Sequence, residues 1–197
     1  MSETMHELPG NTPITPEELA GLIPSLATQQ ELNEWERENI LVARAWALGP
    51  RQIKQADPFA EAYVRELHRR MFSETWKWAG SYRRSAKNLG VAAHEIRERI
   101  ATLLGDARYW VEHRTYRADE IAVRCHHQLV LIHSFPNGNG RHARLYADAL
   151  AIRLGRPEFS WGRQTMIATG PTRAAYLEAL RAADAHDLSP LLRFSRS

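Results

Sequence analysis

The sequence concentrates its most reactive residue types in one short segment, His133-Ser-Phe-Pro-Asn-Gly-Asn-Gly-Arg-His-Ala-Arg144, here called the central motif. The motif combines a histidine that can carry a proton, a glycine–asparagine–glycine turn and two arginines with permanent charge. Apolar segments at 121–132 and 145–154 flank it and predict a helix on each side. The chemistry that these residue types could perform together is proton transfer beside a bound anion.

The turn of the central motif predicts an anion site. Glycines allow Asn137–Gly140 to adopt positive φ at two or more positions, so that successive N–H groups form a concave cradle. The turn leads into a predicted helix that starts at Gly140, and a helix N-terminus also favours an anion. Arg141 and Arg144 project from one side of the first helical turn, where guanidinium groups would match phosphate oxygens. The pattern favours a di- or triphosphate, although the chain has no Walker sequence GxxxxGK[ST].

His133 ends the preceding apolar helix, and a loop that doubles back would bring its imidazole to the same anion. A neutral histidine there could take a proton from a hydroxyl that attacks a phosphate. The helix C-terminus and nearby phosphates would raise the pKa of His133, whereas burial beside Ile132 and Phe135 would lower it. The sequence leaves both directions open.

The remaining chain predicts an all-α protein with one non-helical segment. Capping boxes at Thr15–Glu18 and Thr28–Glu31 predict two helix starts, and the second helix extends to Gly49. A turn signal within residues 82–92, here called the flap, predicts a short hairpin or an extended loop. We expect a flexible arm at 1–14 and one domain at 15–197, with helices from Asp57, Ala93, Arg117, Gly140 and Pro171 and a short closing helix at 190–194.

The composition indicates which cellular compartment and which classes of partner to expect. The 197 residues are 44% hydrophobic and 25% charged, with a net charge of 26 − 23 = +3, and Cys125 is the single cysteine. We therefore expect a cytoplasmic protein with a buried thiol, without disulfides and without a membrane segment. Nucleic acid is not favoured as a partner, because no basic stripe interleaved with aromatic residues is present. His126 and His127 are adjacent and point in different directions on a helix, so we interpret them as core or surface residues rather than metal ligands.

The central motif resembles the signature of the Fic (Fido) family, HxFx(D/E)GNGRxxR, and its wording is most similar to the bacterial branch called mobile mystery protein B. The segment Trp78–Arg83 is similar to the one that leads into the Fic flap, and Arg173 to Leu191 resembles the closing helices of the family, so that the resemblance spans residues 57 to 195. The matching motif positions are His133, Phe135, Gly138, Asn139, Gly140, Arg141 and Arg144.

The resemblance implies a Fic-type helical bundle with a short β-hairpin flap. It also implies a protein adenylyltransferase that moves AMP from ATP to a serine, threonine or tyrosine hydroxyl of a target protein (AMPylation). His133 would be the base, Asn139 and the backbone of Gly138 and Gly140 would form the anion hole, and Arg141 and Arg144 would hold the β- and γ-phosphates. An extended target segment would pair with the flap at Lys87, Asn88, Leu89, Gly90 and Val91.

Asn137 departs from the family pattern, which has a carboxylate that holds Mg²⁺ on the phosphates. An asparagine offers only a neutral carbonyl oxygen, so Asn137 is a weak metal ligand and Mg²⁺ affinity should fall. Three interpretations stay open: a weakened AMP transferase, a transferase that uses another phosphate-containing donor, and a module that binds nucleotide without turnover.

The N-terminal helix 28–49 is a candidate regulatory element. Many Fic proteins are inhibited by a helix with the pattern (S/T)xxxE(G/N), whose glutamate pairs with the second motif arginine. Glu34-x-x-x-Glu38-Asn39 keeps the final pair but has glutamate in the first position. We hypothesise that Glu38 meets Arg144 and displaces the γ-phosphate; a solvated helix face is the alternative. A homo-oligomer or an antitoxin-like regulator also stays open as a partner.

Overall fold

The computed structural model describes residues 14–163 and 171–197, and these residues are mostly helical. They contain no β-strand, and an isolated antiparallel bridge joins Leu22 to Trp76. The flap is therefore a loop here, and the predicted hairpin is not formed. The predicted arm at 1–14 lies outside the described residues except for Ile14. The helices are α1 (Pro16–Leu19), α2 (Gln29–Ala47), α3 (Pro50–Gln55), α4 (Glu61–Phe72), α5 (Ile96–Glu112), α6 (Ala118–Ile132), α7 (Asn139–Arg153), α8 (Pro171–Asp184) and α9 (Ser189–Ser195).

Local signals explain where the first two helices begin. Both predicted capping boxes are present, and each satisfies a backbone N–H that the helix itself leaves unpaired. The backbone N–H of Thr15 donates to Glu18 Oε2 at 2.9 Å, and that of Thr28 donates to Glu31 Oε2 at 3.0 Å. The predicted starts of α1 and α2 are confirmed.

The start of α4 differs from expectation because a local turn replaces the first helical residues. Asp57 Oδ1 accepts the backbone N–H of Phe59 at 3.0 Å, which forms an Asx turn, and α4 begins later, at Glu61. Pro50 follows α2 and occupies the first position of a further short helix, α3, which was not predicted. The missing N–H of proline is harmless there, because the first N–H groups of a helix have no partner within it.

The helices on either side of the central motif, α6 and α7, pack against each other at the centre of the protein. Most residues of α7 are buried on every side of the helix, which is the pattern of a central helix. Cys125 of α6 is fully buried, and burial raises the pKa of its thiol to about 12. Because both helices lie in the core, the loop between them has fixed ends.

Among the described helices, none combines the length and apolar character needed to cross a bilayer.

Candidate functional site

His133 caps the C-terminus of α6 in a left-handed conformation, with φ 54° and ψ 59°. Its backbone N–H still donates to Leu129 O at 3.2 Å, so the helix hydrogen bonds continue to this residue while the chain turns away after it. The residue is 7% exposed and lines a pocket of about 560 Å³. The turn that was expected after α6 therefore exists, and it directs the imidazole into a pocket.

The surroundings of His133 keep its ring neutral. Burial, followed by the charges of Arg83 and Lys87, lowers the pKa of His133 to about 4. The sequence left open whether the pKa of His133 is raised or lowered, and in the structure burial lowers it. At neutral pH the imidazole is a proton acceptor, which is the state a general base requires.

Gly138 makes the turn between the two helices. It has φ 79° and is the N-cap of α7, and a Cβ atom at this position would lie 2.5 Å from Phe72 Cζ. Both the backbone conformation and the space therefore require glycine. Gly140 instead lies within α7 and is not among the glycines with positive φ, so one glycine of the motif, and not two, uses its conformational freedom.

The side chain of Asn139 is turned inward. Its Oδ1 accepts the backbone N–H of Phe135 at 2.9 Å, and its Nδ2 donates to Phe135 O at 2.8 Å. Asn139 thus closes the loop, and its contribution to an anion site is its backbone N–H in the first turn of α7. The amide oxygen of Asn137 accepts the N–H of Gly138 at 2.5 Å.

The two motif arginines line the same pocket as His133. Arg141 Nη1 donates to Glu36 Oε2 at 2.6 Å, and its guanidinium carbon lies 5.0 Å from the ring centre of Phe72. The guanidinium carbon of Arg144 lies 5.2 Å from the ring centre of Tyr176. The pocket thus combines a neutral imidazole, a helix N-terminus and two cations, which suits a phosphate ester with a base beside it.

Residues 58–151 match the model of the Fic/DOC family, and this segment contains the whole central motif from His133 to Arg144. The chain belongs to the Fic/DOC family. It is similar to protein adenylyltransferase fic-1 of Caenorhabditis briggsae, with 32% identity over 135 residues, 66% of this chain and 25% of the relative. The protein of the same name from Caenorhabditis elegans is 31% identical over 145 residues, 72% of this chain and 27% of the relative. The chain thus spans about a quarter of the length of these curated relatives.

Solved structures share the Fic fold. The structure of C. elegans Fic-1 (residues 134–508) has a TM-score of 0.66 and 24% identity, and the match covers 91% of this chain and 52% of that one. BepC of Bartonella tribocorum with bound AMPPNP has a TM-score of 0.68 and 16% identity, and the match covers 92% of this chain and 97% of that one. At these identities the likeness establishes the fold alone.

The α2 residue that reaches the Fic motif is Glu36 and not the predicted Glu38. Glu38 is exposed, whereas Glu36 is 3% exposed and pairs with Arg141 rather than with Arg144. The other carboxylate oxygen of Glu36 accepts the indole N–H of Trp76 at 2.7 Å. The sequence contains a signal for this correction: Glu36 occupies a position of the buried stripe of α2, which is otherwise apolar, at Leu32, Ile40, Ala43 and Ala47.

His68 is a Fic-site residue that sequence reasoning missed. It is fully buried, its Nδ1 accepts the backbone N–H of Gly80 at 3.0 Å, and its Nε2 lies 3.0 Å from Asn137 O. Because Nδ1 is the acceptor, Nε2 carries the proton and donates to Asn137 O. The ring also stacks on Phe135 at 3.8 Å between centres. Burial lowers the pKa of His68 well below its ordinary value, so this neutral tautomer holds the carbonyl of the turn.

Arg83 joins the flap to His133. It is 3% exposed, its Nε donates to His133 O at 2.6 Å, and its Nη2 donates to Val91 O at 2.5 Å. Gly90, with φ 95°, approaches so closely that an added Cβ atom would lie 2.4 Å from the Cβ of His133. The flap is therefore held directly against His133. Of the predicted flap residues, Asn88, Leu89 and Gly90 line the pocket.

Three further histidines, His126, His127 and His142, are buried and hydrogen-bonded. His142, between the two arginines, is 1% exposed and its Nε2 lies 2.9 Å from Val64 O. His126 and His127 are buried, as the sequence allowed, and bond Tyr176 and Asp184. Within residues 14–163 and 171–197, no group of three or more histidine, cysteine, aspartate or glutamate side chains could hold a metal.

Proposed function

We propose that the chain is a protein adenylyltransferase that transfers AMP from ATP to a hydroxyl of a target protein. The observation that carries this proposal is the common pocket of His133, the N-terminus of α7 and the two arginines, with the base held neutral. The names of the curated relatives, protein adenylyltransferase, support the same activity.

His133 supplies the proton acceptor of this reaction. The target hydroxyl oxygen forms a bond to the α-phosphorus while its proton moves to the imidazole. The bond from the α-phosphorus to the bridging oxygen breaks, and pyrophosphate leaves with the electron pair. Arg141 and Arg144 stabilise the charge on the leaving phosphates, and the first N–H groups of α7 face the negative oxygens.

The donor set around Asn137 does not fit a magnesium ion held by the protein. Mg²⁺ in nucleotide sites usually has one or two carboxylate ligands, whereas Asn137 offers an amide oxygen that already accepts the N–H of Gly138. The phosphate charge therefore falls to Arg141, Arg144 and the backbone. We expect Asn137→Asp to increase both the Mg²⁺ dependence of ATP binding and the transfer rate, measured by calorimetry and by transfer assays with and without Mg²⁺. An equal Mg²⁺ dependence in both proteins would contradict this assignment.

The flap is the proposed docking edge for the target. Leu89 is 46% exposed at the pocket, and Gly90 contacts His133. An extended segment of the target could pair with the flap backbone as an added strand, which would place its hydroxyl beside His133. The hairpin form of the flap would then arise from pairing with the target.

A transfer assay with α-labelled ATP tests the function. We expect labelled protein with the wild type, more label with Asn137→Asp, and none with His133→Ala, while His133→Ala still binds ATP in calorimetry. Label that persists in His133→Ala would remove the role of the base. If wild type and Asn137→Asp both bind ATP and transfer nothing, the chain is a nucleotide-binding module. If neither binds ATP, another phosphate-containing donor replaces it.

Glu36 is the proposed inhibitory residue in place of Glu38. A nucleotide phosphate that binds Arg141 has to compete with the carboxylate of Glu36, which lies 2.6 Å from that guanidinium. Helix α2 would then restrain the site until the pair opens. A homo-oligomer or an antitoxin-like partner that moves α2, and a cytoplasmic location, stay predictions.

A further inference from the structure

The flap contains a lysine that is buried although the flap itself lies at the surface. The side chain of Lys87 is 2% exposed, and its Nζ lies 2.5 Å from Glu18 Oε2. Glu18 belongs to α1, far from the flap in sequence and before the segment that matches the Fic/DOC model, which begins at residue 58. A buried lysine needs such a partner because an unpaired ammonium loses its hydration.

Glu18 binds the flap at a second point and also anchors its own helix. Ser85 Oγ donates to Glu18 Oε1 at 2.9 Å, and the backbone N–H of Thr15 donates to Glu18 Oε2 at 2.9 Å. Burial alone would raise the pKa of Glu18, but the hydrogen bonds from Lys87, Thr15 and Ser85 outweigh it and lower the pKa. Glu18 is therefore ionised at neutral pH.

The segment around α1 is itself fixed to the Fic domain. Trp78 Nε1 donates to Glu18 O at 3.0 Å, and the N–H of Lys77 donates to Gly21 O at 2.9 Å. A Cβ atom added to Gly21 would lie 2.7 Å from Trp78 Cδ1, which shows how closely the segment crosses this part of the domain. A carboxylate on such an anchored segment is a rigid support for the flap.

We propose that Glu18 is a positioning residue that fixes the flap, through Lys87 and Ser85, in the conformation that presents a target hydroxyl to His133. The flap is then held on both sides: Arg83 holds it to the chain beside His133, and Glu18 holds it from the N-terminal segment. Residues outside the family segment thus complete the docking edge of the site. The proposal rests on the proposed transfer of AMP to a protein.

Hydrogen–deuterium exchange of the full chain tests the clamp without any substrate. In Glu18→Gln and in Lys87→Met, we expect amides of residues 85–91 to exchange about tenfold faster, while amides of α6 and α7 keep their protection. Glu17→Gln is the matched control, because Glu17 is the exposed neighbour of Glu18 on the same helix. The double variant should exchange like either single variant, because each single change already removes the same interaction between Glu18 and Lys87.

Transfer provides the second measurement, with α-labelled ATP as donor and the proteins of a cell lysate as the acceptor pool. We expect Glu18→Gln to label the pool about tenfold more slowly, in proportion to its flap opening, with unchanged ATP affinity in calorimetry. Equal flap exchange in wild type and Glu18→Gln would overturn the proposal, and so would a loss of protection that extends equally through α6 and α7. If no variant transfers AMP, the proposed function fails, while the exchange data still decide whether Glu18 positions the flap.

Discussion

At the scale of single residues, burial keeps His133 neutral. The pKa of about 4 means that the base form is already present throughout the neutral range, so the rate of transfer should not depend on His133 titration there. We expect kcat/KM to be flat between about pH 6 and 8 and to fall only as the pH approaches the pKa. A steep rise of kcat/KM near neutral pH would contradict this protonation state.

Lys87 contributes to the low pKa of His133 because its positive charge disfavours an imidazolium nearby. Lys87→Met removes this charge and should raise the pKa of His133, which an NMR titration of the ring nitrogens would measure. Lys77→Met is a control with an exposed lysine on a neighbouring segment, and it should leave the pKa unchanged. A pKa that stays at its wild-type value in Lys87→Met would exclude the charge effect.

Gly138 and Gly140 form a matched pair for testing the turn. Gly138→Ala places a Cβ atom 2.5 Å from the ring of Phe72 at positive φ, so we expect it to lower the free energy of unfolding by about 1–3 kcal/mol. Gly140→Ala should keep the stability, because its Cβ would find its nearest atom, Tyr176 Oη, at 4.0 Å and alanine favours a helix. Urea unfolding of the two variants measures their free energies of unfolding. Equal effects would show that the conformation of Gly138 is not required.

The sequence could predict the residues of the motif but not the inward direction of Asn139 or the role of His68. The signals for His133 and the arginines are local, because their types and spacing by themselves predict a phosphate site. His68 acts through Gly80 and Asn137, which are distant in sequence, so no local pattern reveals its hydrogen bonds.

At the scale of elements, the contact between α2 and α7 connects the helix that contains Glu36 to the proposed nucleotide pocket. We expect Glu36→Gln to increase ATP affinity by about tenfold, because it removes the charge that competes for Arg141. The amide can still accept the indole N–H of Trp76, so the packing of α2 should persist.

The control for this prediction is Glu38→Gln, which changes the same charge on the exposed side of α2. Calorimetric titration with ATP compares both variants with the wild type. If Glu36→Gln weakens ATP binding, Glu36 orients Arg141 for the nucleotide instead of competing with it.

Helix starts with a complete capping box were predictable from sequence because all the partners lie within one turn, as at Thr15 and Thr28. The path of the flap was not, because it depends on partners far away in sequence: Arg83 of the flap donates to His133 O, and Ser85 donates to Glu18 of α1. The choice between Glu36 and Glu38 was only partly predictable from the sequence. Helical periodicity places Glu36 in the buried stripe of α2, but only the packing of α2 reveals its partner.

At the scale of the whole molecule, buried neutral histidines make the fold sensitive to acid. Burial lowers the pKa of His142 to about 4 and that of His126 to about 3, and it lowers the pKa of His68 as well. An unfolded histidine binds its proton near pH 6.5, so the unfolded state gains protons first as the pH falls. Stability is therefore complete above about pH 6.5 and is lost toward about pH 4, by on the order of 3 kcal/mol for a shift of the size at His142.

Asp148 acts in the opposite direction. Burial raises its pKa to about 6, so the folded state gains its proton before the unfolded state does, and this offsets part of the loss. With several histidines against one carboxyl group, we expect urea unfolding to give a lower free energy at pH 5 than at pH 7.5. Equal or greater stability at pH 5 would contradict the neutral state of these histidines.

The left-handed backbone of His133 has a consequence for the evolution of this chain. A side chain larger than that of glycine at φ 54° costs folding free energy. Burial of the neutral ring also makes the folded protein less stable in acid. Glycine at this position would relieve the backbone but would remove the proton acceptor. Selection for thermal tolerance alone would therefore erode the base, so variants recovered from such a screen should include changes at residue 133 that unfold at higher temperature and transfer nothing.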